Sequence, residues 1–165
     1  DKDTSGLICV AKNDKAHEFL AEQLLDHSMS REYIALVRGV IKENNGVINM
    51  PIGRDVHDRK KMAVNKEHGK PAVTSFVVIK RFNEHTLIRC ALKTGRTHQI
   101  RVHMSYIGYP VEGDPLYAGR HYDKLYNNGQ LLVAVHLSLI HPTTHKKMEF
   151  DINLPKYFED IFLKI

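Results

Sequence analysis

Apolar residues in this chain fall into short runs divided by polar, glycine- or proline-bearing stretches, and the spacing inside each run predicts an element. LICVA (7–11) follows a polar lead and reads as a buried strand. Asn13 offers a helix N-cap, and Ala16, Phe19, Leu20 and Leu24 recur at helical spacing, so 14–27 is expected to be an amphipathic helix. REYIALVRGVI (31–41) is rich in β-branched and apolar side chains. With ENNG (43–46) as a turn and VINMPI as the return strand, it predicts a hairpin. The runs 72–82 and 86–94 flank Asn83-Glu84-His85 and predict a second hairpin. Between the two hairpins, 53–70 is polar, basic and aperiodic, a long loop or irregular excursion of the kind that often carries function.

In GRTHQIRVHMSYIGYP (95–110), Thr97 can cap a helix, Ile100, Met104 and Ile107 lie on one face, and Gly108 and Pro110 stop it. Residues 113–119 and 126–130 read as loops. LLVAVHLSLIHP (131–142) fits a helix or a strand equally well. KKMEFDINLP (146–155) reads as a strand, and the tail after Pro155 has near-helical spacing. Strands linked mostly by hairpins, with a few helices, favour an α+β fold with a mixed, mostly antiparallel sheet over a doubly wound parallel one. No internal repeat or domain boundary interrupts 1–165, and 165 residues suffice for one sizeable core.

Charge adds a direction. The net charge is +5 with 11 histidines counted as neutral, which points to a polyanionic partner, beside the plain reading of a merely soluble surface. No apolar run approaches the ~20 residues of a membrane span. Cys9 and Cys90 sit apart inside apolar runs, so both are expected to be buried, reduced thiols of a cytoplasmic protein. His98 and His103 are five apart and share no helical face, and CxxC and HExxH are absent, so no metal site is expected. Neither a phosphate-cradling glycine loop nor GxSxG is present.

Three features remain: the carboxylates Asp1 and Asp3 before Thr4-Ser5-Gly6, the GRTHQIR stretch, and Tyr33 inside a strand. Each has an ordinary structural reading: a capped turn, a solvated helix start and a core aromatic. Their order is more specific. DKDTSGLICVAK, REYIALVRG, PIGRD…RKKMAV…GKPAVTSF, LKTGRTHQIRVHMSYIGYPVEGDPLY and a late HP resemble, over essentially the whole chain, the RluA/RluD family of pseudouridine synthases. That family's signature, HRLDxxTSGL, places its catalytic aspartate at Asp1. On this reading the sequence opens in mid-site because the residues that precede Asp1 in the family are missing, and the chain by itself is expected to be inactive or nearly so.

The resemblance implies a catalytic domain over 1–165 that isomerises uridine in RNA to pseudouridine with no cofactor and no metal. It implies large-subunit rRNA as substrate, with tRNA a possible one, in a monomeric, cytoplasmic enzyme. Asp1 would attack C1′ or take a ribose proton. Arg96 would pair with Asp1, its charge favouring the ionised carboxylate. Tyr33 would lie on the base near C5. Leu137 would form an apolar wall of the uracil pocket, and His98, Gln99 and Arg101 would join the substrate contacts. Arg54, Arg59, Lys60, Lys61, Lys66 and Lys70 of the basic excursion are candidate phosphate contacts. One departure is Arg31, where the family commonly has Lys: the charge is kept and the hydrogen-bond geometry changes. The competing expectation is a non-catalytic RNA-binding domain using the same basic face. A carboxylate-dependent hydrolase would need a second carboxylate across a cleft, for which Asp114 is the candidate.

Overall fold

The computed structural model describes residues 1–120 and 124–165. In chain order the elements are β1 (Ser5–Gly6), α1 (Asp14–Leu25), β2 (Ser30–Arg38), β3 (Asn45–Asn49), β4 (Ile52–Arg54), β5 (Met62–Val64), β6 (Val73–Arg81), β7 (His85–Leu92), α2 (Gln99–Tyr106), β8 (Leu132–Ile140), β9 (Lys147–Asp151) and α3 (Lys156–Phe162). One large sheet runs β1-β8-β2-β7-β6-β3, with β9 also on β8, and β4 and β5 form a separate small hairpin. Among the described strands only β1 and β8 pair in parallel. The expected α+β architecture is therefore the observed one.

The central strand β2 shows how the sequence builds two cores. Ile34 and Leu36 point to one face, where Leu131, Val133, Val135 and the α3 residues Phe158 and Ile161 pack on them. Ala35 and Val37 point to the other, against Ile88, Cys90 and the α2 residues Ile100 and Met104. Apolar residues in succession, rather than in alternation, are what a strand covered on both faces requires. Tyr33 packs at the margin of the α2-side core. A smaller cluster of Met29, Leu137 and Leu139 takes Leu20 of α1.

Several expectations are corrected by the pairing. LICVA is not a strand: pairing with β8 stops at Gly6↔Ala134, because β9 occupies the same edge from His136 onward. With no partner strand, Ile8 and Val10 are 83% and 75% exposed, and Cys9 is exposed too, whereas Cys90 is buried. Burial pushes the Cys90 thiol up to about 12. The segment after ENNG does not fold back on β2, whose two neighbours are β7 and β8; it crosses to pair with β6. The basic excursion contains the β4–β5 hairpin, and 131–142 resolves as the long inner strand β8. Helix α2 begins later than expected. Its N-cap is His98, left-handed at φ 58, and Thr97 precedes it without capping it.

Candidate active site

Asp1 stands at the head of a tight turn, where the Thr4 amide donates to the Asp1 carbonyl at 3.3 Å. A distant loop clamps this turn. Gln130 Nε2 donates to the Lys2 carbonyl at 2.7 Å and to Thr4 Oγ1 at 2.8 Å. Asp3 adopts a left-handed φ of 67° and packs on Gly129, where a Cβ would come within 2.3 Å of the Asp3 Cβ. Gly129 is itself left-handed at φ 94°, so glycine is required there for both space and conformation. Nothing in the sequence pattern assigned Gly129 and Gln130 this role. The only signal was an NNGQ loop.

The cation beside Asp1 is Arg101, with Nη1 donating to Asp1 Oδ2 at 3.5 Å. The other edge of the same guanidinium grips Asp114 through Nε to Oδ2 at 2.7 Å and Nη2 to Oδ1 at 2.9 Å. The Arg101 side chain is 4% exposed and that of Asp114 0%. Asp114 also accepts the Leu116 and Tyr117 amides, so its turn is held as firmly as its ion pair. This bidentate geometry fixes the arginine rotamer before substrate arrives. Arg96, expected as the Asp1 partner, instead donates through Nε to the Pro71 carbonyl at 3.0 Å. It lies in the loop before α2, whereas Arg101 is on the helix face turned toward β1. Asp114 is correspondingly no second carboxylate across a cleft, because its oxygens are committed to Arg101 and the turn.

Asp1 and Arg96 still share one cleft of about 220 Å³, lined also by Thr4, Arg31, Tyr33, Gly95, His98 and Leu132. Tyr33 forms part of its wall, and burial pushes the phenol pKa above 10, opposed by the charge of Arg31. It is therefore a neutral hydroxyl at physiological pH. A bulge in the β2–β8 pairing, between Glu32 and Tyr33, sets Ala134 and Leu137 on the side of Tyr33 and Arg31. Leu137 lines the adjoining groove, which shares Arg31 and Tyr33 with the cleft.

Gln99, expected among the substrate contacts, is buried and fully engaged within the protein. Its Oε1 accepts from Thr94 Oγ1 and the Arg96 amide, and its Nε2 donates to the Val73 carbonyl and Thr74 Oγ1. It shapes the loop that carries Arg96. His98 Nδ1 lies 2.8 Å from the Tyr117 hydroxyl, which also accepts the Met62 amide of β5. Tyr117 thus ties the basic hairpin to the site, with its ring 5.1 Å from the Arg101 guanidinium. On that excursion Arg54, Arg59, Lys60, Lys66 and Lys70 are exposed and Lys61 half-buried. No group of His, Cys, Asp or Glu among the described residues could hold a metal ion.

Burial pushes His98 and His103 below the ordinary 6.5. His103 bridges Thr74 Oγ1 and the Met50 carbonyl at 2.9 Å each, the pattern of a neutral ring with its proton on Nε2. The unfolded chain takes up these protons first, so the stabilisation is complete above about pH 6.5 and is lost as pH falls below it. Urea unfolding should show a lower midpoint at about pH 5.5 than at about pH 7.5. His103→Asn, which takes up no proton, should narrow the difference. Equal midpoints in the parent protein would refute the assignment.

The cleft thus joins a carboxylate at an arginine bridge to a neutral tyrosine on its wall. Residues 1–106 match the RNA pseudouridylate synthase family, and the chain belongs to that family. It is 52% identical to the uncharacterized RNA pseudouridine synthase YlyB of Bacillus subtilis over 156 residues, 94% of this chain and 50% of that protein. Against the ribosomal large subunit pseudouridine synthase D of Pseudomonas aeruginosa the identity is 47% over 169 residues, 96% of this chain and 52% of the relative. The chain thus spans about half the length of these curated relatives. Among solved structures, human RNA pseudouridylate synthase domain containing 1 superposes with a TM-score of 0.80 at 30% identity, covering 94% of this chain and 66% of that one.

Proposed function

We propose that the protein converts specific uridines to pseudouridine in RNA, with large-subunit rRNA as the substrate and the cytoplasm as the place of work. The observation that carries this reading is Asp1, held 3.5 Å from a buried arginine in a cleft whose wall includes Tyr33. The reaction is an isomerisation: the N1–C1′ bond breaks, the uracil turns, C5 joins C1′, and the C5 proton is exchanged for one on N1. It needs no net oxidant and no energy source. The Asp1 carboxylate starts the cleavage, either by attack on C1′ or by taking a ribose proton, and it is a good leaving group afterwards. Arg101 holds it in position through the contact at 3.5 Å. Tyr33, a neutral phenol, receives the face of the base, which must leave its stack to reach the cleft.

The catalytic domain is proposed to extend over 1–165, as a monomer. Arg54, Arg59, Lys60 and Lys61, on the hairpin that Tyr117 anchors to the site, and Lys70 just after it are proposed to follow the RNA backbone. A role as a binding module alone would leave the Asp1–Arg101–Asp114 arrangement without a purpose. No helix among the described residues is long and apolar enough to cross a membrane. Mapping of pseudouridine in cellular RNA with and without the gene tests the reading. The expected result is the loss of one or a few sites in large-subunit rRNA. Loss confined to tRNA would change the substrate, and no lost site in any RNA would overturn the activity.

A further inference from the structure

Arg31 differs from the other arginines of the site in having no hydrogen-bond or ion-pair partner among the described residues. Its Nε is buried and makes no hydrogen bond, and no carboxylate among the described residues lies within ion-pair distance of it. The nearby carboxylates are taken: Glu32 accepts from Arg89 at 3.0 Å, and Asp1 is on Arg101. The guanidinium lies so close over Gly95 that a Cβ there would be 2.5 Å from Nη1 and 3.1 Å from Nη2. On β2 it is two residues from Tyr33, hence on the same face of the sheet, and it lines both the cleft and the adjoining groove.

A half-buried guanidinium without a counter-ion is costly to keep, and its planar fork matches the oxygens of a phosphodiester. We propose that Arg31 is a phosphate-binding residue, gripping the RNA backbone beside the uridine that Tyr33 receives. The inference rests on the RNA-modifying reading of this cleft. It assigns backbone positioning to Arg31 and leaves the reacting atoms to Asp1. Lysine at this position would keep the point charge and lose the fork. Gly95, having no side chain, leaves the space that the guanidinium occupies.

The test measures RNA affinity against salt together with steady-state pseudouridine formation, using the intact protein and the RNA in which its site is mapped. Arg31→Met should flatten the slope of log K against log salt by about one unit and raise KM at least about tenfold, with kcat within about threefold. Arg31→Lys should restore the slope and only part of the affinity. Gly95→Ala leaves every charge in place and displaces only the far end of a flexible side chain, so it should fold normally and lose affinity as Arg31→Met does. An unchanged slope in Arg31→Met, or a fall in kcat with KM and slope unchanged, would overturn the proposal. So would normal affinity in Gly95→Ala. The slope is read without turnover, so a protein that binds RNA through Arg31 and makes no pseudouridine would sink the activity alone.

Discussion

Asp1→Asn in the intact protein should remove pseudouridine formation, with kcat down by at least about a thousandfold, while RNA affinity stays within about twofold. The substitution keeps the shape of the side chain, and an amide oxygen can still accept from Arg101 Nη1, so the opening turn held by Gln130 should persist. What is lost is a charged oxygen able to attack carbon or take a proton. Binding is expected to survive because the proposed phosphate contacts lie on Arg31 and the basic hairpin rather than on Asp1. Product formation can be read by pseudouridine-specific chemical mapping of the treated RNA. Activity retained within about tenfold of the parent would remove Asp1 from the chemistry and return the chain to the class of RNA-binding modules.

The residues proposed to act on substrate were more legible in the sequence than the residues that hold them. Asp1 and Tyr33 each had an ordinary structural reading as local patterns and stood out only through the resemblance carried by DKDTSGL and REYIALVRG in their order along the chain. The partner of Asp1 was misplaced by five positions. GRTHQIR offers two arginines, and the helix was read only through its apolar stripe, Ile100, Met104 and Ile107. In the fold α2 is buried almost all round, Gln99, Arg101 and His103 included. Each polar residue there is matched by a partner far along the chain: Asp114, Thr74 or the Met50 carbonyl. Such pairings have no local signature. The same limit explains LICVA. Its composition is that of a strand, yet a strand needs a free edge, and β9 occupies the rest of that edge on β8. The clamp by Gly129 and Gln130 was hidden for the same reason, since more than a hundred residues separate it from the turn it holds.

Arg101→Met should do two separable things, and a second substitution pulls them apart. Losing the guanidinium leaves Asp114, wholly buried, as an uncompensated charge, which should cost about 3–5 kcal/mol of stability. It also leaves Asp1 without its neighbouring cation, which should lower kcat by at least about a hundredfold. The double variant Arg101→Met, Asp114→Asn removes both members of the buried pair. The Asn oxygen can still accept the Leu116 and Tyr117 amides, so the turn is preserved. Replacing a buried ion pair by neutral groups of similar size is often close to neutral, so the double variant should regain most of the lost stability. Its turnover should stay low, because nothing restores a positive charge beside Asp1. Denaturant unfolding reads the first effect and pseudouridine mapping the second. If activity returned along with stability, Arg101 would be a structural residue only, and the ion pair at 3.5 Å would have no part in the reaction. If stability failed to return, the penalty would lie in lost packing of the long side chain against Tyr117 rather than in the stranded charge.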